Sequence, residues 1–189
     1  MLFRSPDAGM LFRFKQDFAG LGGDKEYLRS TIFAGATTKV LNNEVTLRAA
    51  FEGGALNSLN DTISTVTDRF ASSGSLRGFE PNGFGTREGD FALGGNHFAV
   101  VRLEADFPLG IPEEYSISGG VYLDAGSVWG LDDDDNGTVD DGFSLRSAIG
   151  LSVFWSTPIG PLRFNFSKPL EFEDYDKTET FELTVSTSF

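Results

Sequence analysis

The feature that most restricts this chain is a period of two that returns along its length. In the last nine residues, Phe181, Leu183, Val185, Thr187 and Phe189 share one parity, while Glu182, Thr184, Ser186 and Ser188 share the other. Successive side chains of a β-strand point to opposite faces, so this pattern predicts a strand with one apolar and one polar face. It recurs about eight times. Leu162, Phe164 and Phe166 alternate with Arg163, Asn165 and Ser167. Phe143, Leu145, Ile149, Leu151, Val153 and Trp155 oppose Ser144, Arg146, Gly150 and Ser152. Ile117, Val121 and Leu123 oppose Ser116, Ser118, Tyr122 and Asp124. Ala99, Val101, Leu103 and Phe107 oppose Arg102, Glu104 and Asp106, and Val45, Leu47, Ala49 and Phe51 oppose Thr46, Arg48 and Glu52. Near the start, Phe12, Phe14 and Phe18 oppose Arg13, Lys15 and Asp17, and residues 26–36 read as a strand with weaker alternation.

The connections alternate as well. Short turns at 37–43, around Pro108 and Pro112, and at 157–161 separate longer polar loops at about 55–96, 130–142 and 171–177. Strands of about ten residues with short turns on one side and long loops on the other are what a transmembrane barrel requires. Composition agrees: 19 Phe and 23 Gly among 189 residues, with 40% hydrophobic residues but no helix-length apolar run. The competing architecture is a soluble antiparallel barrel or sandwich, whose strands also alternate. The loop-length pattern and the ending separate the two, and the expected fold is an all-β, antiparallel transmembrane barrel.

Charge and rare residues exclude several functions. A net charge of −13 excludes a nucleic-acid partner, which needs a basic face. Without Cys there is neither a disulfide framework nor thiolate chemistry. His97 is the single imidazole and nothing places an activated Ser beside it, so no enzyme is expected, and no cofactor. Asp132, Asp134, Asn136 and Asp140 fall at the oxygen positions of a calcium loop, but Phe143 stands where the bidentate Glu belongs. That leaves a weak calcium site or a solvated acidic loop. Trp129, Trp155, Tyr115 and Tyr122 suit either interfacial girdle positions or core packing. The start, Met1-Leu2-Phe3-Arg4-Ser5-Pro6, lacks the apolar core of a secretory signal, so either the protein is not exported or these residues are an internal piece of a longer exported chain.

A chain ending on Phe after aromatic and aliphatic alternation resembles the C-terminal recognition signal of bacterial outer-membrane proteins. Phe181, Leu183, Val185 and Phe189 carry it here. Such a segment can add itself to an exposed sheet edge, where backbone bonds give affinity and alternating side chains give register. The long loop holds the tetrad Leu76-Arg77-Gly78-Phe79. If it folds into a barrel lumen, Arg77 needs anionic partners. Parity offers Glu104 and Asp124 on the polar faces of the next two strands, which an Arg fork can bridge. Gly78 then permits close backbone approach, and Phe79 anchors the tip. The alternative is an exposed loop with an ordinary Arg.

The tetrad, Gly94-Gly95-Asn96, the stretch Val121 to Trp129, Thr157 to Phe164, and Asp176-Lys177-Thr178-Glu179-Thr180-Phe181 together resemble the C-terminal barrel of the BamA family of outer-membrane protein assembly factors. TamA and the two-partner secretion transporters are its relatives. The resemblance implies an outer-membrane insertase that folds other barrels by strand templating. Its partners would be outer-membrane lipids, nascent outer-membrane proteins and accessory lipoproteins. It also implies a tetrad held in the lumen by acidic residues at the matching positions. The family barrel has about sixteen strands behind periplasmic POTRA domains, so residues 1–189 would be its C-terminal half with a lumen-inserted loop at about 55–96. A glycine that commonly kinks the family's last strand is replaced by Val185-Ser186-Thr187. The competing reading is an independent eight-stranded pore or structural barrel. Pairing of residues 9–18 with 181–189 would mark that closed form, and a free edge the half-barrel.

Overall fold

The structure is a computed structural model that describes residues 8–20, 22, 25–60, 62–72, 76–132, 139–157 and 160–185. Its main element is an antiparallel sheet of eight strands, each paired with its neighbour in sequence order. The strands are β1 (Ala8–Ala19), β2 (Tyr27–Val40), β3 (Val45–Ser58), β6 (His97–Pro108), β7 (Ile117–Trp129), β8 (Arg146–Thr157), β9 (Gly160–Glu171) and β10 (Phe181–Val185). Between β3 and β6 the chain forms a small hairpin of β4 (Arg87–Glu88) and β5 (Phe91–Ala92). Several boundaries differ from the sequence pattern. β2 runs on to Val40, so its turn is the tight one at 41–44. β3 runs on to Ser58, so the long loop starts at 59 rather than 55. β8 starts at Arg146, which leaves Phe143 and Leu145 in the preceding loop.

Among the described residues β1 pairs only with β2, and β10 only with β9, so the sheet is open. That is the arrangement expected of part of a larger barrel, and it removes the closed eight-stranded form among these residues. Of the four residues assigned to the C-terminal signal, Phe181, Leu183 and Val185 lie on β10. Phe189 lies outside the described residues.

The two faces follow the parity read from sequence. Met10, Phe12, Phe14, Phe18, Leu47, Phe51, Val101, Leu103, Val121, Leu123, Ile149, Leu151, Phe166, Phe181 and Leu183 are all exposed. An apolar surface spread over seven of the eight strands is far larger than a soluble monomer carries, and acyl chains are the solvent that fits it. No helix among the described residues is long and apolar enough to cross a membrane, so any crossing is made by strands. The opposite face is covered by the chain itself. Phe70, Leu76, Phe79 and Phe84 of the long loop pack against Leu56, Phe98, Val100, Val128 and Ala148 of the sheet, which forms the buried apolar cluster. Glu104 on β6 meets Arg163 on β9 across three strand spacings, about 14 Å on a flat sheet. Hence the sheet curls toward the face on which the loop rests.

Candidate functional site

Arg77 lies at the centre of the covered face. Its Nε donates to Asp124 Oδ2 at 2.7 Å and its Nη2 to Asp124 Oδ1 at 2.6 Å, the two parallel bonds of a forked ion pair. Its Nη1 reaches Glu104 Oε2 at 2.5 Å. The Asp124 side chain has 0% exposure, so its charge is supported by Arg77 in place of water. β6 and β7 place Glu104 directly opposite Tyr122, and Arg102 opposite Asp124. The two carboxylates therefore flank the point at which the loop enters.

Tyr122 forms the floor. Arg77 stacks over its ring at 3.6 Å from the centroid, and the phenol shares a hydrogen bond with Ser167 Oγ at 2.5 Å. The ring lies across β8 at Gly150, where a Cβ would fall 2.3 Å from the phenol oxygen. Tyr122 is thus an inner-face residue, not a girdle residue. It has the parity of Asp124, and that was the signal for its place.

Next to Arg77, Gly78 has φ +91, a left-handed conformation that costs glycine little. A Cβ there would come within 2.9 Å of Ala148 Cβ and 3.2 Å of Ser167 Cβ. Leu76 and Phe79 are buried on either side, and Phe79 meets Phe84 edge-on at 5.2 Å. The four tetrad residues thus enter the sheet's covered face together, and Glu104 and Asp124 receive the one cation among them.

Two further arginines join, and the parity list already held both. Glu104 also accepts from Arg163 Nη2 and from Arg48 Nη1, the latter at 3.2 Å, and Arg48 bonds Asp106 as well. Three guanidinium groups and three carboxylates therefore interlock near the middle of this face. A cavity of about 420 Å³ opens beside them, with Arg48, Arg102, Arg163, Asn165 and Glu182 among the residues that line it.

Asp132, the first position of the candidate calcium loop, has a different set of neighbours. Its carboxylate accepts from Ser58 Oγ, from Ser64 N at 2.9 Å and from Ser64 Oγ at 2.5 Å, and Arg69 lies at 3.4 Å. Burial pushes the Asp132 carboxyl up, but these hydroxyls, the Ser64 N–H and Asn96 outweigh it and hold it well below the usual carboxylate range. Asp132 therefore fastens the start of the long loop. Asp140 accepts from the Gly142 N–H at 3.1 Å, while Asp134 and Asn136 lie outside the described residues. His97 stacks on Trp129 at 5.7 Å, and Phe143 meets the same indole edge-on at 5.0 Å.

The family model of the Omp85 superfamily domain matches residues 4–189. The chain belongs to the Omp85 superfamily. Among curated proteins, this Omp85 chain is 32% identical over 186 residues to the outer membrane protein assembly factor BamA of Neorickettsia risticii, a match covering 97% of this chain and 25% of that protein. It is 30% identical over 141 residues to BamA of Neisseria meningitidis, covering 61% and 18%. The human sorting and assembly machinery component 50 homolog is 34% identical over 108 residues, covering 55% and 23%. The chain thus spans about a quarter or less of the length of these relatives. Among solved structures, BamA from Haemophilus ducreyi lacking POTRA domains 1–3 superposes with a TM-score of 0.84 at 22% identity, covering 96% of this chain and 39% of that one. That likeness shows the fold: an all-β, antiparallel barrel wall.

Proposed function

We propose that this chain is the C-terminal part of an outer-membrane β-barrel assembly factor, which folds and inserts other outer-membrane proteins by strand templating. One observation carries the reading. β10 ends an open, lipid-facing sheet, with an unpaired edge among the described residues and with apolar Phe181, Leu183 and Val185 exposed on one side. An edge of this kind offers backbone donors and acceptors to an incoming strand, and its alternating side chains set the register. Proteins to which it is similar are named as outer membrane protein assembly factors in bacteria and as a sorting and assembly machinery component homolog in human.

In this reading the long loop lies in the lumen, and the tetrad from Leu76 to Phe79 fixes it to the wall through Glu104 and Asp124. The wall stays rigid while the edge remains available. The partners are outer-membrane lipids, nascent outer-membrane proteins and accessory lipoproteins, and the process requires no covalent step. Because β1 and β10 do not pair among the described residues, the reading as an independent closed pore has less support than the assembly reading.

The test is a chimera in which residues 4–189 replace the matching segment of the Haemophilus ducreyi barrel. With the folded chimera in liposomes, the folding rate of a urea-unfolded eight-stranded barrel is followed by its heat-modifiable gel mobility. Faster folding than in empty liposomes is expected. A chimera that is itself folded and leaves the client at the empty-liposome rate refutes the proposal.

A further inference from the structure

The connection from β9 to β10 carries a second buried ion pair, away from the Arg77 cluster. Arg146, at the start of β8, has a side chain 1% exposed, and the Asp176 side chain has 0% exposure. Arg146 Nε donates to Asp176 Oδ2 at 3.0 Å, its Nη2 to the Tyr175 hydroxyl at 2.9 Å, and its Nη1 to the Ser144 carbonyl at 2.8 Å. Asp176 Oδ2 also accepts from the Glu173 N–H at 2.9 Å, which closes the connection into a compact turn. An isolated charge is expensive to bury, so this pair fixes where the turn can sit.

The residues that follow the turn are held by the tetrad loop. Lys177 N–H donates to the Gly83 carbonyl at 2.7 Å, Glu80 N–H to the Lys177 carbonyl at 2.9 Å, and Glu179 N–H to the Gly78 carbonyl at 3.0 Å. Phe79 and Thr178 form an antiparallel bridge between them. One residue further on, the Thr180 carbonyl accepts from Ser167 N–H at 2.9 Å, and β10 begins at Phe181 opposite Phe166. The path from Asp124 to the terminal strand is therefore short and continuous. It runs from the Arg77 fork to the Gly78 carbonyl, the Glu179 amide and the first residue of β10.

We infer that Arg146 and Asp176 are positioning residues that couple the Arg77 clasp to the terminal strand: by holding residues 177–179 against Gly78 to Gly83, they make the seating of the tetrad and the start of β10 one mechanical unit. The coupling is reciprocal, as any coupling free energy must be. Releasing Arg77 frees the start of β10, and releasing Asp176 frees the tetrad. It concerns the mechanics of this chain alone. An assembly assay without effect leaves it standing.

The test is amide hydrogen exchange on the full chain folded in detergent, comparing the unsubstituted protein with Asp124→Asn, Asp176→Asn and the double variant. Asp124→Asn should speed exchange in residues 177–183 relative to β2 and β3 by between about 5-fold and 150-fold, the usual span of coupling between sites. Asp176→Asn should speed exchange in residues 76–83 by a similar factor, and the double variant should exchange no faster at 177–183 than Asp176→Asn alone. Glu179→Pro, which removes the N–H given to Gly78 together with the Glu side chain, should abolish the transmission and leave the Arg146 pair in place. Exchange at 177–183 unchanged by Asp124→Asn, effects of the two changes that multiply independently, or a rise shared equally by all strands would each overturn the inference.

Discussion

Replacing Asp124 by Asn tests whether the loop is held by charge or merely packed. The substitution keeps the shape of the side chain and removes its charge and one acceptor. The Arg77 guanidinium then loses one of the two bonds it makes to this carboxylate, at 2.7 and 2.6 Å, and keeps the other only to a neutral oxygen. A hydrogen bond to a charged group contributes about 1.5–3 kcal/mol, and breaking a buried pair costs about 3–5 kcal/mol. Glu104 remains within reach of Nη1, so the net loss for loop docking is about 2–4 kcal/mol. That corresponds to a population of undocked loop about 30- to 1000-fold larger. Native-state proteolysis reads this population directly when opening and closing are fast relative to cleavage. Cleavage within residues 59–96 of the detergent-folded chain should accelerate by that factor. Glu104→Gln should accelerate it less, because Arg77 keeps its fork on Asp124 while Arg163 and Arg48 absorb the change. Cleavage within about threefold of the unsubstituted rate for Asp124→Asn, or a larger effect from Glu104→Gln, refutes the argument.

Three other outcomes follow from the same geometry. Gly78→Ala forces a left-handed φ on a residue with a Cβ and drives that Cβ within 2.9 Å of Ala148, so a loss of about 1–3 kcal/mol is expected in a guanidinium titration; an unchanged midpoint argues against this backbone. Asp132 is held well below the usual carboxylate range in the folded chain, so its anchoring is complete above about pH 4 and is lost as pH falls from there toward the folded value. Exchange in residues 62–72, corrected for intrinsic rates, should stay level down to about pH 4 and rise as pH falls below it, and Ser64→Ala should flatten that rise; a flat profile in the unsubstituted chain contradicts the assignment. Leu123→Arg puts a cation on the exposed apolar face in mid-strand, which in a bilayer should cost about 2–4 kcal/mol by equilibrium unfolding. A cost near zero would mean that this face meets water.

Parity was enough to read the sheet, because a period of two reports which side of a strand each residue occupies and lipid makes the contrast between sides large. It was least informative at strand ends. Gly53 and Gly54, inside β3, carry no side chain to alternate, so the alternation ends before Ser58 although the strand does not. Lys39 and Val40 lengthen β2 into what reads as a turn, because only the tight bend at Leu41, Asn42 and Asn43, all at positive φ, ends the strand. Short breaks of this kind shift boundaries without changing any face.

The site divides along the same line. Arg77, Glu104 and Asp124 were legible because two of the three lie on strands whose parity fixes their direction, and the third is the cation of a tetrad that, once folded into a lumen, must find a counter-charge. Arg48 and Arg163 had the same parity signal; what the sequence lacked was the curl of the sheet, which brings β9 within reach of β6. Arg146 and Asp176 mark where this logic ends. Arg146 alternates correctly on β8, but Asp176 sits in an acidic connection with no period, and nothing in Glu171 to Lys177 distinguishes the one carboxylate that is wholly buried from Glu171 and Asp174, which stay exposed. Its burial follows from a loop returning over the face it came from. A strand pattern contains no information about that return, because part of the energy that favours it lies in backbone bonds such as the one from the Glu179 N–H to the Gly78 carbonyl, which are the same for every side chain.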